Sequence, residues 1–445
     1  MTACTTFREK RLASQEIQSA TSGPRPPGRR HRRWRIALLL GLGVLINYID
    51  RVCVSVSHTS LFVAFGLSDV ALGYLSGCFN WSYAICQLPV GVILDKFGVK
   101  RVGRIGAFLW SIAAFASAAT PNLSGLFGAR LLLGVGEAPI FPANAKAIGL
   151  WFPAHQRGLA TSLFDAAAKF APAVGVPLLG AVLLAAGWRW SFVLTGTLSL
   201  AYLALFWRVY RDPDEDPGLT GEERAYIEAT PEVESGPEEP SSLLHLLGER
   251  KVIGLAIGFA SYNYVFYLLL YWLPSYLSFA LHVDLSRSFL YTSVPWIIAT
   301  LTDVVIGGWL VDALIRRGWD ASRVRQTVLI GGTACGLGIL GAAYAHGPAQ
   351  ALFWISLSIG GLSVAAPVGW SAPSLIAARG DVGKVGGILN LANQIAGIAA
   401  PILTGYVVSI RHSYAWAFGL ATIFLVFGIA AYIFLLGRIE RVPAH

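Results

Sequence analysis

Four charged side chains lie inside long apolar stretches of the sequence, where a charge is costly. Asp50 and Arg51 are adjacent in the first stretch, and Arg130 and Glu137 lie seven residues apart in the fourth. Seven residues make two helical turns, so Arg130 and Glu137 share one helix face. Ionisable residues in membrane helices usually face a cavity or each other and mark substrate or proton pathways. These four residues are therefore the candidate site.

The residue types suit the coupled movement of an organic anion and protons. Burial disfavours the charged form of a carboxylate, so Asp50 and Glu137 could each bind a proton near neutral pH. An arginine stays charged and offers a planar fork of donors to a carboxylate. The alternative is that the four residues form two buried ion pairs that only hold helices together. Desolvation offsets most of the attraction in such pairs, which therefore serve stability poorly.

The elements that position these residues must be membrane-spanning helices. The 445-residue chain is 55% hydrophobic and only 13% charged, whereas soluble domains carry about 25% charged residues. This composition argues against a cytosolic enzyme. Twelve apolar segments are long enough to cross a hydrocarbon core of about 30 Å as α-helices. They cover roughly residues 36–58, 71–94, 102–119, 124–147, 158–186, 190–208, 252–280, 288–314, 326–345, 349–376, 385–409 and 414–437.

Positive charge is distributed unevenly between the connections and predicts that both termini are cytoplasmic. The connections on the other side hold only Arg189, Arg287 and Arg411. The predicted cytoplasmic connections hold Lys96, Lys100, Arg101, Arg104, Arg157, Arg316, Arg317, Arg323, Arg325, Arg379 and Lys384. The predicted organisation is a basic arm (1–35), a six-helix bundle (36–208), an acidic linker (209–250), a second six-helix bundle (251–437) and a cytoplasmic tail (438–445). The arm is expected to meet anionic lipid and not nucleic acid.

The two bundles are expected to be pseudo-symmetric. Gly91 and Asp95 close the second span in the same pattern in which Gly308 and Asp312 close the eighth. Parallel repeats of this kind are typical of transporters. The sequence GVILDKFGVKR at residues 91–101 resembles the signature of the major facilitator superfamily, which implies the major facilitator fold.

The signature also predicts a conformational latch. Gly91 is expected to permit close helix approach, and Asp95 to meet a helix N-terminus or an arginine of a neighbouring helix. Such contacts would break and reform as the bundles rock. The predicted latch residues are Gly91, Asp95, Lys96, Gly98, Arg101, Gly308 and Asp312.

From about residue 34 onward the chain resembles the anion:cation symporter family within that superfamily. The matching motifs are Asn47-Tyr48-Ile-Asp50-Arg51, Arg130 to Pro142, Trp151-Phe-Pro153, Arg157-Gly158, Gly187-Trp-Arg-Trp190, Tyr262-Asn-Tyr264, Trp272-Leu-Pro-Ser-Tyr276, Pro367-Val-Gly-Trp370, Asn390 to Gln394 and Ala400-Pro401. The resemblance implies that Asp50 and Glu137 carry protons, that Arg51 meets a substrate carboxylate, and that Arg130 is the partner of the glutamate. It further implies a polar substrate lining of Tyr48, Gln87, Tyr262, Tyr267, Asn390 and Asn393.

The fifth span departs from the family pattern at Asp165 and Lys169. Spaced i,i+4, they share a helix face and can neutralise each other. They form either an internal ion pair or a second cationic site for a dicarboxylate or phosphate-like substrate.

The predicted function is proton-coupled uptake of a small organic anion, a sugar acid or another carboxylate, by a secondary transporter. Two alternatives remain, an organic-anion exchanger and an anion sensor without net transport. No hydrolase or ATPase motif occurs, and neither the five cysteines nor the eight histidines show a ligand spacing. We therefore expect no enzyme activity, no cofactor and no metal. The chain is expected to be a monomer, without nucleic-acid partners, in the bacterial inner membrane.

Overall fold

The computed structural model describes residues 32–228, 242–377 and 381–440, and these ranges are helical without any strand. They contain eleven helices that are long and apolar enough to cross a membrane, or twelve if one bent pair counts as a single span. The prediction of an all-helical membrane protein is therefore confirmed, and the predicted twelve spans equal the upper count.

The first six spans contain one sharp bend and two breaks. The first helix is followed by His58–Phe65, which meets the second span at an angle of 118°. The second and third spans divide at Gly98, whose φ of 75° lies in the left-handed region that favours glycine. The fourth span breaks next to Pro139. The helices are Arg32–Val56, His58–Phe65, Asp69–Ala119, Leu123–Glu137, Ile140–Trp151, Ala154–Ala186 and Trp188–Val209.

Three of the last six spans change from α-helix to π-helix along their length. These changes occur in the seventh, eighth and twelfth spans. The seventh span is Arg250–Ser275 with the π-helix Tyr276–Ala280, and the eighth is Leu285–Thr302 with the π-helix Asp303–Leu310 and then Val311–Arg316. The remaining helices are Ala321–Gly336, Ile339–Ala343, Pro348–Ile376, Val382–Arg411, Tyr414–Ala430 and the π-helix Ala431–Leu436.

The second and eleventh spans touch closely at the end of the bundle where the second span begins, here called the Asp69 face. A Cβ atom on Gly73 would lie 2.6 Å from the carbonyl oxygen of Pro401. A Cβ on Gly405 would lie 2.5 Å from the carbonyl oxygen of Asp69. Only glycine allows the two backbones to come this close. The spans are therefore in direct contact on this face.

The same two spans separate toward the opposite end, where the first span begins, here called the Arg32 face. Cβ atoms added to Gly91, Gly386 and Gly387 would meet nothing within 4 Å. A side chain at Gly91 would contact no described residue, so in this conformation Gly91 does not mediate the predicted close helix approach. The second and eleventh spans thus touch at the Asp69 face and separate toward the Arg32 face.

The segment after the sixth span docks onto the Arg32 face. Glu223, in the helix Gly221–Glu228, accepts a hydrogen bond from Arg33 Nη1 at 2.8 Å, and both side chains are buried. Arg32 pairs with Asp216 at 2.9 Å. The exposed Glu215 contacts Lys100, which lowers the pKa of that carboxyl. The described part of the first helix is already helical at Arg32, before the predicted residue 36. Arg33 belongs to a buried ion pair.

Candidate functional site

The four charged residues of the first and fourth spans come together in the interior. Arg51 Nε donates to Glu137 Oε2 at 3.0 Å, and both side chains are buried. Arg130 Nη1 lies 3.5 Å from the carbonyl oxygen of Asp50, and the Asp50 carboxylate accepts from the hydroxyl of Ser199 at 2.9 Å. The prediction that Arg130 is the partner of Glu137 is therefore wrong in this structure. Each arginine reaches across to the neighbouring helix and not along its own.

Several donors of the two buried guanidinium groups have no partner among the described residues. They are Nη2 of Arg51 and both Nε and Nη2 of Arg130. The Oε1 atom of Glu137 is likewise buried without a hydrogen bond. Buried polar groups are normally paired, and an unpaired one costs free energy. The site therefore holds free donors suited to an anion.

Aromatic rings surround the guanidinium groups. The Arg51 guanidinium carbon lies 4.5 Å from the ring centre of Tyr48, 4.6 Å from that of Phe79 and 5.1 Å from that of Tyr83. Arg130 lies 5.5 Å from the ring centre of Phe79. Cation–π attraction and exclusion of water hold Arg51 in place beside Glu137. Tyr48, a predicted lining residue, thus contacts the charged site directly.

One amide pair links the first six spans to the last six, and two further amide contacts lie within the last six. Asn390 Nδ2 donates to Gln87 Oε1 at 3.1 Å, so two predicted lining residues meet. The predicted Asn393 accepts from Asn263 at 2.9 Å, and Gln394 Nε2 lies 3.5 Å from Asn390 Oδ1. Asn263 and Gln394 were not predicted as site residues. Asn263 stands directly after Tyr262 in a family-matching motif, which was the available signal.

Both predicted tyrosines of the seventh span are buried. The ring of Tyr267 lies against the eleventh span, 2.8 Å from where a Cβ on Gly397 would be. Tyr262 stacks on Phe259 with ring centres 5.2 Å apart. The two buried rings thus pack between the seventh span and its surroundings, and their role as substrate lining stays a prediction.

Lys169 is paired with two carboxylates and not one. Its Nζ atom lies 2.7 Å from Asp165 Oδ2 and 3.2 Å from Asp303 Oδ2. Asp303 belongs to the eighth span and was not predicted, although it is a charge inside the apolar segment 288–314. The internal ion pair, one of the two alternatives for Asp165 and Lys169, is therefore present, and it is part of a larger cluster.

The latch residues adopt a looser arrangement than the signature predicts. Asp95 Oδ1 lies 2.7 Å from Nζ of Lys146 in the fourth span. Its partner is thus a lysine and neither an arginine nor a helix terminus. Lys96, Arg101 and Asp312 are exposed, and a Cβ on Gly308 would meet only the carbonyl oxygen of Asp303, at 3.7 Å. This is consistent with separation of the spans at the Arg32 face.

A helical membrane bundle with buried charged residues between its spans is an arrangement typical of membrane transporters. Residues 40–377 match the family model "Major Facilitator Superfamily". The chain belongs to the Major Facilitator Superfamily. It is a multi-pass transporter of the cell membrane and not an enzyme, as predicted.

Relatives and solved structures with this architecture cover almost the whole chain. The "Uncharacterized transporter YybO" of Bacillus subtilis is 38% identical over 93% of this chain and 96% of its own length. The "Probable galactarate/D-glucarate transporter GarP" of Escherichia coli is 30% identical, over 92% and 96% respectively. The "D-galactonate transporter" of Escherichia coli is 29% identical, over 94% and 98%.

Among solved structures, a crystal structure of a bacterial homologue of the human lysosomal transporter Spinster, in an inward-facing and occupied conformation, has a TM-score of 0.73 at 17% identity. It covers 92% of this chain and 99% of the other. The proton:xylose symporter XylE bound to a sugar analogue has a TM-score of 0.71 at 18% identity, with coverage of 92% and 96%. At these identities the likeness concerns the fold.

Proposed function

We propose that this chain is a proton-coupled symporter that takes up a sugar acid or a similar small carboxylate. The observation that carries the proposal is the pair of buried arginines, Arg51 and Arg130, with unpartnered donors beside the buried carboxylates Asp50 and Glu137. An anion needs such donors, and a proton needs such carboxylates. The names of the relatives, which specify galactonate, galactarate and D-glucarate, support this substrate class.

Competition for Arg51 would couple the two species. A substrate carboxylate that binds Arg51 takes the guanidinium away from Glu137. The buried glutamate then loses its compensating charge and favours its protonated form. Anion binding and proton uptake therefore support each other. In this proposal Asp50 is the second proton carrier, Arg130 a second anion contact, and Tyr48, Gln87, Tyr262, Tyr267, Asn390 and Asn393 the polar lining.

The proposed architecture is two halves that rock around this site. Residues 36–208 form the N-terminal half and 251–437 the C-terminal half, joined by 209–250, with both termini and the Arg32 face cytoplasmic. The basic connections support this orientation. The Arg32 face, toward which the second and eleventh spans separate, is then the cytoplasmic side, from which substrate would leave. The transporter is proposed to act as a monomer in the bacterial inner membrane, with residues 91–101 and 308–312 as the conformational latch.

The test is uptake by the purified protein in proteoliposomes. D-Galactonate, galactarate and D-glucarate would be offered with and without an inward proton gradient, and D-galactose would be the uncharged control. We expect one or more of the acids to accumulate only with the gradient, and a protonophore to abolish accumulation. Uptake that needs an internal anion instead would identify an exchanger. Binding without any flux would identify a sensor.

A further inference from the structure

The cluster on the fifth and eighth spans carries one negative charge more than it can balance. Asp165, Lys169 and Asp303 lie within ion-pair distance through the single ammonium of Lys169. The side chains of Lys169 and Asp303 are 2% and 3% exposed, and that of Asp165 is 15% exposed. Two carboxylates thus share one cation in a buried place. The Oδ1 atom of Asp303 is buried and has no hydrogen-bond partner among the described residues.

The rest of the charged interior does not supply the missing positive charge. Asp50, Arg51, Arg130 and Glu137 are two acids and two bases, so they balance among themselves. Within the described spans of the C-terminal half, Asp303 is the one buried charged side chain. An incoming carboxylate would add further negative charge. Because an uncompensated buried charge is expensive, the cluster is suited to holding a proton.

The cluster also joins the two halves, through the ion pair between the fifth and eighth spans. Near the Asp69 face the fifth and eighth spans pack tightly, and a Cβ on Gly180 would collide with the ring of Phe289. The Lys169–Asp303 pair lies farther toward the Arg32 face. Between this pair and the Arg32 face, no ion pair or hydrogen bond joins the fifth and eighth spans in the described part of the chain. Asp303 also begins the π-helix Asp303–Leu310, and π-helical turns often occur at functional sites.

We propose that Asp303 is a further proton-binding residue of the transport cycle, and that its protonation releases the ion pair that joins the fifth and eighth spans. The proton binds a carboxylate oxygen of Asp303, and Lys169 then pairs with Asp165 alone. The titratable and charged groups that face Asp303 are Asp165 and Lys169 of the fifth span and Tyr262 of the seventh. The inference rests on the proposed function, because it adds a site to the proposed proton coupling.

Two single variants distinguish the role of Asp303 in binding a proton from its role in the ion pair that joins the halves. Asp303→Asn leaves a balanced Asp165–Lys169 pair that cannot join the halves. Asp165→Asn leaves a balanced Lys169–Asp303 pair that joins them permanently. Both variants should therefore bind one proton fewer per substrate molecule than the parent. Asp303→Asn should retain or increase the rate of substrate counterflow, whereas Asp165→Asn should slow it several-fold. The matched control is Asp284→Asn, an exposed carboxylate at the start of the eighth span.

Proton uptake would be measured with a pH indicator in weakly buffered detergent solution while the transported sugar acid is added. A parent that shows no substrate-linked proton uptake contradicts the proposed function. A parent that shows it, with Asp303→Asn unchanged in stoichiometry, overturns the inference alone. If Asp303→Asn does not fold, Asp165→Asn decides the question, because its cluster stays neutral. An unchanged stoichiometry in that variant also overturns the inference.

Discussion

Arg51 combines three roles in one side chain, because it packs against aromatic rings, neutralises Glu137 and keeps one nitrogen free. A lysine at this position would keep the charge but not the fork. Its single ammonium could not offer a substrate carboxylate the two parallel donors with which the guanidinium can bind it in place of Glu137.

We therefore expect Arg51→Lys to bind the sugar acid at least about tenfold more weakly. A change of this size corresponds to the loss of roughly one charge-assisted hydrogen bond. Titration calorimetry on purified protein would measure the dissociation constant. The matched control is Arg411→Lys, at an exposed helix end, which should bind normally. An unchanged affinity in Arg51→Lys would place the substrate contact elsewhere, with Arg130 the next candidate.

Glu137 is the residue whose protonation we expect to drive accumulation. Glu137→Gln mimics the protonated carboxyl permanently, so the variant should still bind substrate and exchange it across the membrane. Accumulation driven by a proton gradient should fall to background. Counterflow and gradient-driven uptake in the same proteoliposomes separate the two properties. Full accumulation by Glu137→Gln would refute the assigned role.

Residue types and spacing in the sequence predicted the charged site but not its pairing. A seven-residue spacing puts Arg130 and Glu137 on one helix face, yet it says nothing about the rotation of the first span opposite them. That rotation decides that Arg51, and not Arg130, meets Glu137. Asp303 was missed for a related reason, since its partner Lys169 lies on a span far away in sequence.

At the scale of elements, the contact between the second and eleventh spans depends on glycine. The carbonyl oxygen of Asp69 occupies the place where a side chain at 405 would begin. Apolar length alone predicted both spans. The close contact at one end could not be predicted, because Gly91 and Gly405 look alike in sequence and differ only in what lies opposite them.

We expect Gly405→Ala to disfavour closure of the Asp69 face, since its Cβ would lie 2.5 Å from a backbone oxygen. Spin labels on the ends of the second and eleventh spans at this face should report a longer mean distance by double electron–electron resonance. Gly386→Ala is the matched control, because its Cβ meets nothing in this conformation. Equal distances in both variants would show that the contact does not control closure.

At the scale of the whole molecule, the chain after the sixth span belongs to the folded body. The sequence predicted an acidic linker from residue 209 to residue 250, yet residues up to Glu228 form helices and ion pairs with the start of the first span. Composition signals polarity, but it does not reveal that Arg33 of the predicted basic arm stands opposite Glu223. Because Arg33 and Glu223 are far apart in sequence, only the folded structure shows that they pair.

Loss of this contact should destabilise the protein measurably. Glu223→Gln leaves the buried Arg33 without its counter-charge, a change that typically costs about 3–5 kcal/mol. The temperature of thermal unfolding in detergent should fall clearly. Glu222→Gln, at the exposed neighbouring position, is the control and should leave it unchanged. A Glu223→Gln variant as stable as the parent would show that the ion pair contributes nothing net.

The unbalanced charge on Asp303 has a consequence for the energetics of accumulation. The membrane voltage contributes about 2.3 kcal/mol per elementary charge for every 100 mV, which is about a 50-fold change in a concentration ratio. Each proton carried inward with the anion adds one such charge. A carrier with Asp303 in use would therefore concentrate its substrate far more steeply than one limited to Asp50 and Glu137. It would also stall sooner when the cell depolarises.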